Sequence, residues 1–218
     1  MIRCIDKESD VTLIVSAMIG KYSILVADRK QSNLFTTLIG KSFLKDVTKI
    51  RLVSGVAFTG SGRVFILDKV KAHFTTIIER NPEELLWDDK LKYFNKISDF
   101  KGLHFVVSLP LKQEMYLHKF YLQVKDSYHN HFEYSSNRIN SNPFNIMALP
   151  PSDVDFDDAL KYCVEIFNNS ESINKETIVL KMRTIFKHYS KASKFVSSDF
   201  DIVFQSHDEN PVIINVPN

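Results

Sequence analysis

The sequence is poor in glycine and cysteine and has no long apolar run. Its 218 residues include 6 Gly, 7 Pro and 2 Cys, a composition that excludes collagen-like, linker-rich and disulfide-stapled chains. Cys4 and Cys163 match neither a metal-ligand pattern nor a disulfide framework. No stretch approaches the roughly 20 apolar residues of a membrane-spanning helix, and charged residues stand in the first eight positions, where a signal peptide would be apolar. We therefore expect a cytoplasmic protein that does not bind a membrane.

An excess of either charge is also missing. The 28 Lys and Arg residues and the 26 Asp and Glu residues give a net charge of +2 and are mixed along the chain. No basic arm is available to follow a phosphate backbone, so we expect no nucleic acid among the partners. His129 and His131 alternate on one candidate strand, but no third ligand stands at a suitable spacing. We expect neither a bound metal nor another cofactor.

What the sequence does contain is 44% hydrophobic residues, arranged with the two periods that distinguish strands from helices. A chain of this length can form one sizeable core. Predicted strands cover Val11–Met18, Tyr22–Ala27, Val47–Val53, Val56–Thr59, Leu103–Leu109, Met115–Val124, His131–Tyr134, Asn145–Leu149, Asp201–Gln205 and Val212–Val216. Predicted helices cover Gly62–Arg80, Glu83–Ile97, Asp155–Asn168 and Ile178–Tyr189.

The order of these elements predicts an α+β fold. The strands arrive in consecutive hairpins, whereas a doubly wound parallel sheet would alternate strands with helices. Two separate helix pairs can cover the outer faces of two stacked antiparallel sheets. The prediction is a four-layer αββα sandwich that forms one domain over residues 1–218, with residues 1–11 as a propeptide or an N-terminal extension.

Several short motifs stand in the first third of the chain. An apolar strand opens with Thr12-Leu13-Ile14-Val15, the next strand ends in Ala27-Asp28, Thr48-Lys49-Ile50 leads into a third, and a fourth ends in Gly60-Ser61-Gly62. This series resembles the proteasome β-subunit family and the similar HslV-type peptidases of the Ntn-hydrolase superfamily. Over the rest of the chain the resemblance extends only to the order of the elements.

The resemblance implies a catalytic site. Thr12 would be the nucleophile, because the free amine of an amino-terminal threonine can accept the proton of its own hydroxyl. Lys49 would supply a positive charge and Asp28 the carboxylate that holds it. Backbone N–H groups of the turn at Gly60 would stabilise the oxyanion. Because Lys49 stands several residues later than the family pattern expects, Lys45 is a rival for its place.

Two departures from the family pattern concern the start and the end of the chain. Val11 precedes Thr12, where members that cleave themselves carry glycine, a sterically permissive residue; an alternative alignment places Val11 itself at the nucleophile position. Near the end of the chain, Ser197 matches a family serine, but Lys194 stands where a carboxylate is expected. Ser197 is therefore a candidate site residue without its usual acidic neighbour.

Two function classes follow from the resemblance. The first is a catalytically inactive, structural subunit of a self-compartmentalised, proteasome-like assembly. The second is a threonine-type endopeptidase that acts on peptides after residues 1–11 are removed. A third class, an Ntn amidohydrolase for small amides, is disfavoured because Cys4 does not stand at the nucleophile position. For the first two we expect a homo-oligomer or an assembly with related subunits, with Phe74, Ile78 and Leu86 as candidate contact residues.

Overall fold

The computed structural model describes residues 12–31, 45–61, 64–81, 103–111, 114–126, 129–138, 144–151, 153–168, 174–206 and 208–218. Its helices are α1 (Val64–Arg80), α2 (Phe156–Asn168) and α3 (Lys175–Ala192). Its strands are β1 (Ile14–Ile19), β2 (Tyr22–Asp28), β3 (Lys30–Gln31), β4 (Lys45–Asp46), β5 (Arg51–Val53), β6 (Val56–Ser61), β7 (Leu103–Leu111), β8 (Glu114–Asp126), β9 (His129–Arg138), β10 (Phe144–Leu149), β11 (Phe200–Gln205) and β12 (Ile213–Val216). The predicted helix Glu83–Ile97 lies outside the described residues.

Two five-stranded sheets form the centre of the structure. The first sheet has the strand order β10-β1-β2-β11-β12, the second has the order β5-β6-β7-β8-β9, and β3 pairs with β4 in a separate two-stranded ribbon. All strand pairs in the described ranges are antiparallel. The predicted α+β class with antiparallel hairpins is therefore confirmed.

Two tight turns set the register of the hairpins on which the site depends. Gly20, with φ of 56°, connects β1 to β2, and the turn from β5 to β6 has Ser54 at φ 47° and Gly55 at φ 81°. In the turn from β5 to β6 both central residues thus have positive φ, which is the pattern of a type I′ hairpin turn, whose twist matches that of the flanking strands. Both hairpins were predicted from these turn residues.

Successive side chains of a strand point to opposite faces of its sheet, and both faces of the first sheet are covered by other elements. One face packs against α2 and α3 in the helix-side core, and the other meets the second sheet in the inter-sheet core. The helix-side core consists of Leu13, Val15, Ala17, Ile19, Ile24, Val26, Ile146, Ala148, Ala159, Cys163, Phe167, Ile178, Met182, Ile185, Phe186, Tyr189, Val196, Phe200, Ile202, Phe204 and Val216. The inter-sheet core consists of Ile14, Met18, Leu25, Ala27, Ile50, Ala57, Val106, Met147, Leu149 and Val203.

Helix α1 packs against β5 and β6 of the second sheet. The ring of Phe74 lies 6.0 Å from that of Phe58 on β6, and Phe74, Ile77 and Ile78 are all buried. The expectation that Phe74 and Ile78 contact another subunit is therefore wrong, because their helix face covers the sheet of its own chain. Leu86 lies outside the described residues. In the part of the chain that the structure describes, no helix is both long and apolar enough to cross a membrane.

Truncation of Phe186 tests the packing of α3 on the first sheet. Phe186 is fully buried, and its ring stacks on that of Phe200 with 4.7 Å between centroids. Phe186→Ala is expected to lower the free energy of unfolding by about 3 to 5 kcal/mol, measured by urea denaturation. Leu180→Ala is the matched control, because Leu180 lies on the same helix and is 64% exposed. Equal effects of the two substitutions would contradict this packing.

Candidate functional site

The first hairpin places Thr12 beside Asp28. The pairing of β1 with β2 aligns Ile14 with Ala27, so the residues that precede β1 lie next to the end of β2. The backbone N–H of Asp28 donates to the carbonyl of Leu13 at 3.2 Å, and the N–H of Leu13 donates to Asp28 Oδ1 at 3.0 Å. The start of β1 is thereby fixed by both the backbone and the side chain of Asp28.

Lys49 completes a buried cluster with these two residues. Its Nζ atom donates to Thr12 Oγ1 at 3.0 Å and to Asp28 Oδ1 at 2.9 Å. The exposed fraction is 4% for Thr12, 0% for Asp28 and 8% for Lys49. Lys45, the rival candidate, lies in β4 opposite Gln31. The structure thus brings together three residues that are distant in sequence, and Lys49 is the lysine whose ammonium group reaches the threonine.

The carboxylate of Asp28 accepts four hydrogen bonds. Oδ1 accepts from Lys49 and from the N–H of Leu13, while Oδ2 accepts from the N–H of Lys30 at 2.9 Å and of Ser197 at 3.4 Å. Burial raises the pKa of Asp28, and the Lys49 ammonium and the backbone donors oppose that change. Burial also disfavours the charged form of Lys49 and lowers its pKa, and the nearby Asp28 carboxylate opposes that lowering. Each charge is therefore stabilised in the interior mainly by the other.

Ser197 enters the cluster through its backbone. It lies in the segment between α3 and β11, and its Oγ accepts a hydrogen bond from the N–H of Asp199 at 3.1 Å. Lys194, which stands where the resemblance expects a carboxylate, is exposed, and its ammonium group lies over the ring of Phe195. Ser197 thus supplies a backbone donor to Asp28, and its hydroxyl shapes the local turn.

Gly60 lies in strand β6, opposite Phe105, where the sequence predicted a turn. It is buried, and its neighbour Thr59 connects it with the cluster: Thr59 Oγ1 donates to the carbonyl of Lys49 at 3.2 Å. Gly62, the other glycine of the predicted turn, lies outside the described residues. Four of the five predicted site residues therefore meet directly, and Gly60 adjoins them through Thr59.

Sequence reasoning missed two groups beside the cluster. Lys71 of α1 is buried and donates from Nζ to the carbonyl of Lys49 at 2.9 Å. Arg29 pairs with the buried Asp201 at 2.6 Å. A sequence signal for Lys71 did exist, since it lies three residues before Phe74 and so shares the apolar face of its helix. Arg29 follows Asp28 directly, but its partner is 172 positions away.

The described ranges contain no group of three or more His, Cys, Asp or Glu side chains that could hold a metal ion. The cluster itself consists of one hydroxyl, one ammonium group, one carboxylate and backbone N–H groups.

Comparisons with family models and with curated proteins find no match to this chain. Among solved structures, the chain is similar to Anbu from Hyphomicrobium sp. strain MC1, with a TM-score of 0.65 and 10% identity over 94% of this chain and 88% of that one. It is also similar to an Anbu (Gly-1) mutant from the same strain, with a TM-score of 0.63 and 12% identity over 95% of this chain and 88% of that one. The chain therefore has the proteasome-like fold of these structures.

This comparison corrects the assignment to the family of proteasome β-subunits and HslV-type peptidases. The matched structures are Anbu, and at 10 to 12% identity the likeness shows the fold alone. The motifs that suggested the family lie in the first third of the sequence and describe two hairpins with a few polar residues at their ends. Such a pattern follows from the fold, so it does not identify one family within it.

The buried charge pair yields a prediction about stability. Lys49→Met leaves the Asp28 carboxylate buried without its counter-charge, so the free energy of unfolding is expected to fall by about 3 to 5 kcal/mol. The double variant with Asp28→Asn is expected to lose less than the two single variants added together, because neither charge is then left alone. Urea denaturation of the four proteins at pH 7 measures this.

Lys21→Met is the matched control for that cycle. Lys21 pairs with Asp208 at 3.0 Å, and their side chains are 56% and 67% exposed. Loss of this exposed pair is expected to leave the free energy of unfolding almost unchanged, because water screens both charges. Additive effects of Lys49→Met and Asp28→Asn would show that the pair does not act as a unit.

Proposed function

We propose that this chain is an amide hydrolase with Thr12 as an N-terminal nucleophile, and that its substrates are peptides. The observation that carries the proposal is the position of Lys49 Nζ, 3.0 Å from Thr12 Oγ1 and 2.9 Å from Asp28 Oδ1. A positive charge next to a hydroxyl favours the deprotonated oxygen, and a carboxylate beside the ammonium group keeps that charge in place. The coarser conclusion, a subunit with a proteasome-like fold, does not depend on this chemistry.

The proposed reaction proceeds in two stages. Thr12 Oγ attacks the substrate carbonyl carbon, and its proton passes to the α-amine of Thr12, directly or through a water molecule. The C–N bond then breaks, the departing amine takes that proton, and the acyl group remains on Thr12 as an ester. Water adds to the ester, gives up a proton through the same amine, and releases the carboxylic acid and the free hydroxyl. Residues 1–11 must be removed first, because they convert this amine into an amide.

Lys49 has two roles in this scheme. A lysine ammonium group is only a donor, so Thr12 Oγ1 accepts the hydrogen bond from Lys49 and its own proton is free to leave toward a base. The positive charge also favours the developing negative charge on that oxygen. Asp28 keeps the ammonium group in place and in its charged form, as opposite charges in a poorly solvated site do.

A catalytically inactive, structural subunit is the second candidate. One observation favours it: Asp28 accepts four hydrogen bonds that join β1, β2, the Lys49 segment and the loop before β11. Such a network would stabilise the fold whether or not Thr12 reacts. Val11, in place of glycine before Thr12, is consistent with this candidate, because the β-branched side chain restricts the backbone at the bond that must be cut.

The remaining expectations are part of the same proposal. A single four-layer domain is supported by the helix-side core on one face of the first sheet, the inter-sheet core on its other face, and α1 on the second sheet. The assembly is proposed to be a homo-oligomer or to include related subunits, in the cytoplasm. No nucleic acid, membrane or cofactor has a part in it.

Covalent labelling tests whether Thr12 is a nucleophile. A chain trimmed to begin at Thr12 is expected to be acylated at Thr12 by a β-lactone and to cleave fluorogenic peptides, because its α-amine is free. Intact-mass and peptide mass spectrometry locate the label. Thr12→Ser should keep the reaction and Thr12→Ala should lose it, while Thr48→Ala is the control, since Thr48 is exposed and adjacent to Lys49.

The same measurement separates the two candidate functions. Labelling of the trimmed chain at Thr12 supports the hydrolase. A folded trimmed chain that takes up no label and cleaves no peptide supports the structural subunit instead. A preparation that is active while its mass still includes residues 1–11 would refute Thr12 as an N-terminal nucleophile.

The oligomeric state is a separate prediction. The mass in solution, from size-exclusion chromatography with light scattering at micromolar concentration, is expected to be a multiple of the chain mass of 25.2 kDa. A subunit that restricts access to its site needs neighbours, since a single sheet sandwich encloses nothing. Exposed apolar residues such as Val212 and Ile214, at 60% and 40%, are available for such contacts. A strictly monomeric mass would contradict the prediction.

A further inference from the structure

Lys71 is a buried lysine whose ammonium group contacts the backbone of the candidate site. It lies on the face of α1 that also carries Phe74 and Ile78 and is 8% exposed. Its Nζ atom donates to the carbonyl oxygen of Lys49 at 2.9 Å, and Thr59 Oγ1 donates to the same oxygen at 3.2 Å. Two side chains from different elements therefore converge on one carbonyl.

The charges around Lys71 do not explain its burial. The pKa of Lys71 is lowered to about 8, chiefly by burial. The charges of Arg51 and Lys49 also lower it, and that of Asp68 opposes them. Arg51 and Asp68 lie 3.9 Å apart, with side chains 47% and 62% exposed. An ammonium group is expensive to bury against a neutral carbonyl, and an apolar side chain would satisfy the packing of this helix face.

The carbonyl of Lys49 lies where strand pairing does not hold the chain. Residues 47–50 run between β4 and β5 in irregular conformation, although the sequence predicted a strand from Val47. The Lys49 side chain has four rotatable bonds, so the path of its ammonium group depends on where its backbone is fixed. The hydrogen bonds from Lys71 and Thr59 fix that backbone, and the Lys49 side chain extends from it to Thr12 and Asp28.

We propose that Lys71 is a positioning residue that holds the backbone of Lys49 so that the Lys49 ammonium group reaches Thr12 and Asp28. The geometric part of this proposal concerns Lys49 alone. The kinetic part rests on the proposed function, in which the Lys49 ammonium group acts on the Thr12 hydroxyl. The two parts need different measurements, so that failure of one can be told from failure of the other.

The geometric part is tested by NMR of lysine Nζ in ¹⁵N-lysine-labelled protein, with the Lys49 signal identified by its loss in Lys49→Arg. Lys71→Met is expected to move that signal toward the position of exposed lysines, while Lys71→Arg, which keeps a charged donor, is expected to restore it. Lys161→Met is the matched control, because Lys161 is exposed on α2. An unmoved Lys49 signal in folded Lys71→Met would overturn the proposal.

The kinetic part uses the chain trimmed to begin at Thr12. Lys71→Met is expected to lower kcat about tenfold with KM unchanged, since Lys71 contacts the Lys49 backbone and its role is to orient a group already in the site. Lys71→Arg should recover most of the rate. A change in KM with kcat unchanged would overturn the positioning role. If the trimmed wild-type chain neither cleaves nor labels, the proposed function fails, and the Lys49 signal still decides the role of Lys71.

Circular dichroism checks that each variant is folded. If Lys71→Met does not fold, Lys71→Gln takes its place, because its shorter, neutral side chain stays polar but ends one bond short of the lysine Nζ position. A displaced Lys49 signal in Lys71→Gln supports anchoring of the Lys49 backbone by Lys71. A Lys49 signal at the wild-type position in this variant counts against it.

Discussion

The buried ion pair between Asp28 and Lys49 is the interaction on which the candidate site and much of the surrounding fold depend. Asp28 is 0% and Lys49 8% exposed, and two charges buried to this extent are stable only when each has the other and its remaining hydrogen bonds are satisfied. Asp28 meets this condition through three backbone N–H groups in addition to Lys49. Those donors lie just before β1, in β3 and in the loop before β11.

The pair therefore couples distant parts of the chain. The start of β1 is held through Leu13 and Thr12, the loop before β11 through Ser197, and the irregular segment before β5 through Lys49 itself. A second pair, Arg29 with Asp201, lies next to it and connects the residue after Asp28 with β11. The site lies where the start of β1 and the end of β2 meet the segment before β5 and the loop before β11, so any catalytic geometry there is set by the tertiary structure.

Local sequence signals predict the hairpins but only half of the site. A hairpin that turns at Gly20-Lys21 brings Leu13 opposite Asp28, so the proximity of Thr12 and Asp28 follows from the turn alone. Lys49 was ambiguous with Lys45, because the sequence between Gln31 and Lys45 has no periodic pattern from which the position of the next strand could be derived. Strands β3 and β4 have two residues each and are too short to show such a pattern. The spacing of Lys71 from Phe74 places it on the apolar face of its helix, but its contact with the Lys49 backbone depends on how that helix packs in the tertiary structure.

Thr12 by itself does not distinguish the two candidate functions. The Lys49 ammonium group carries three protons, of which Asp28 and Thr12 accept two, so a threonine oxygen at this position also satisfies a purely structural lysine. The difference lies in the proton of the Thr12 hydroxyl. In a structural subunit that proton needs only some acceptor, whereas catalysis requires an acceptor that can hold it and give it up again. With Lys49 as a donor and Asp28 occupied by four hydrogen bonds, the α-amine of Thr12 is the base that this geometry leaves for that task, and it becomes one only when the peptide bond to Val11 is broken.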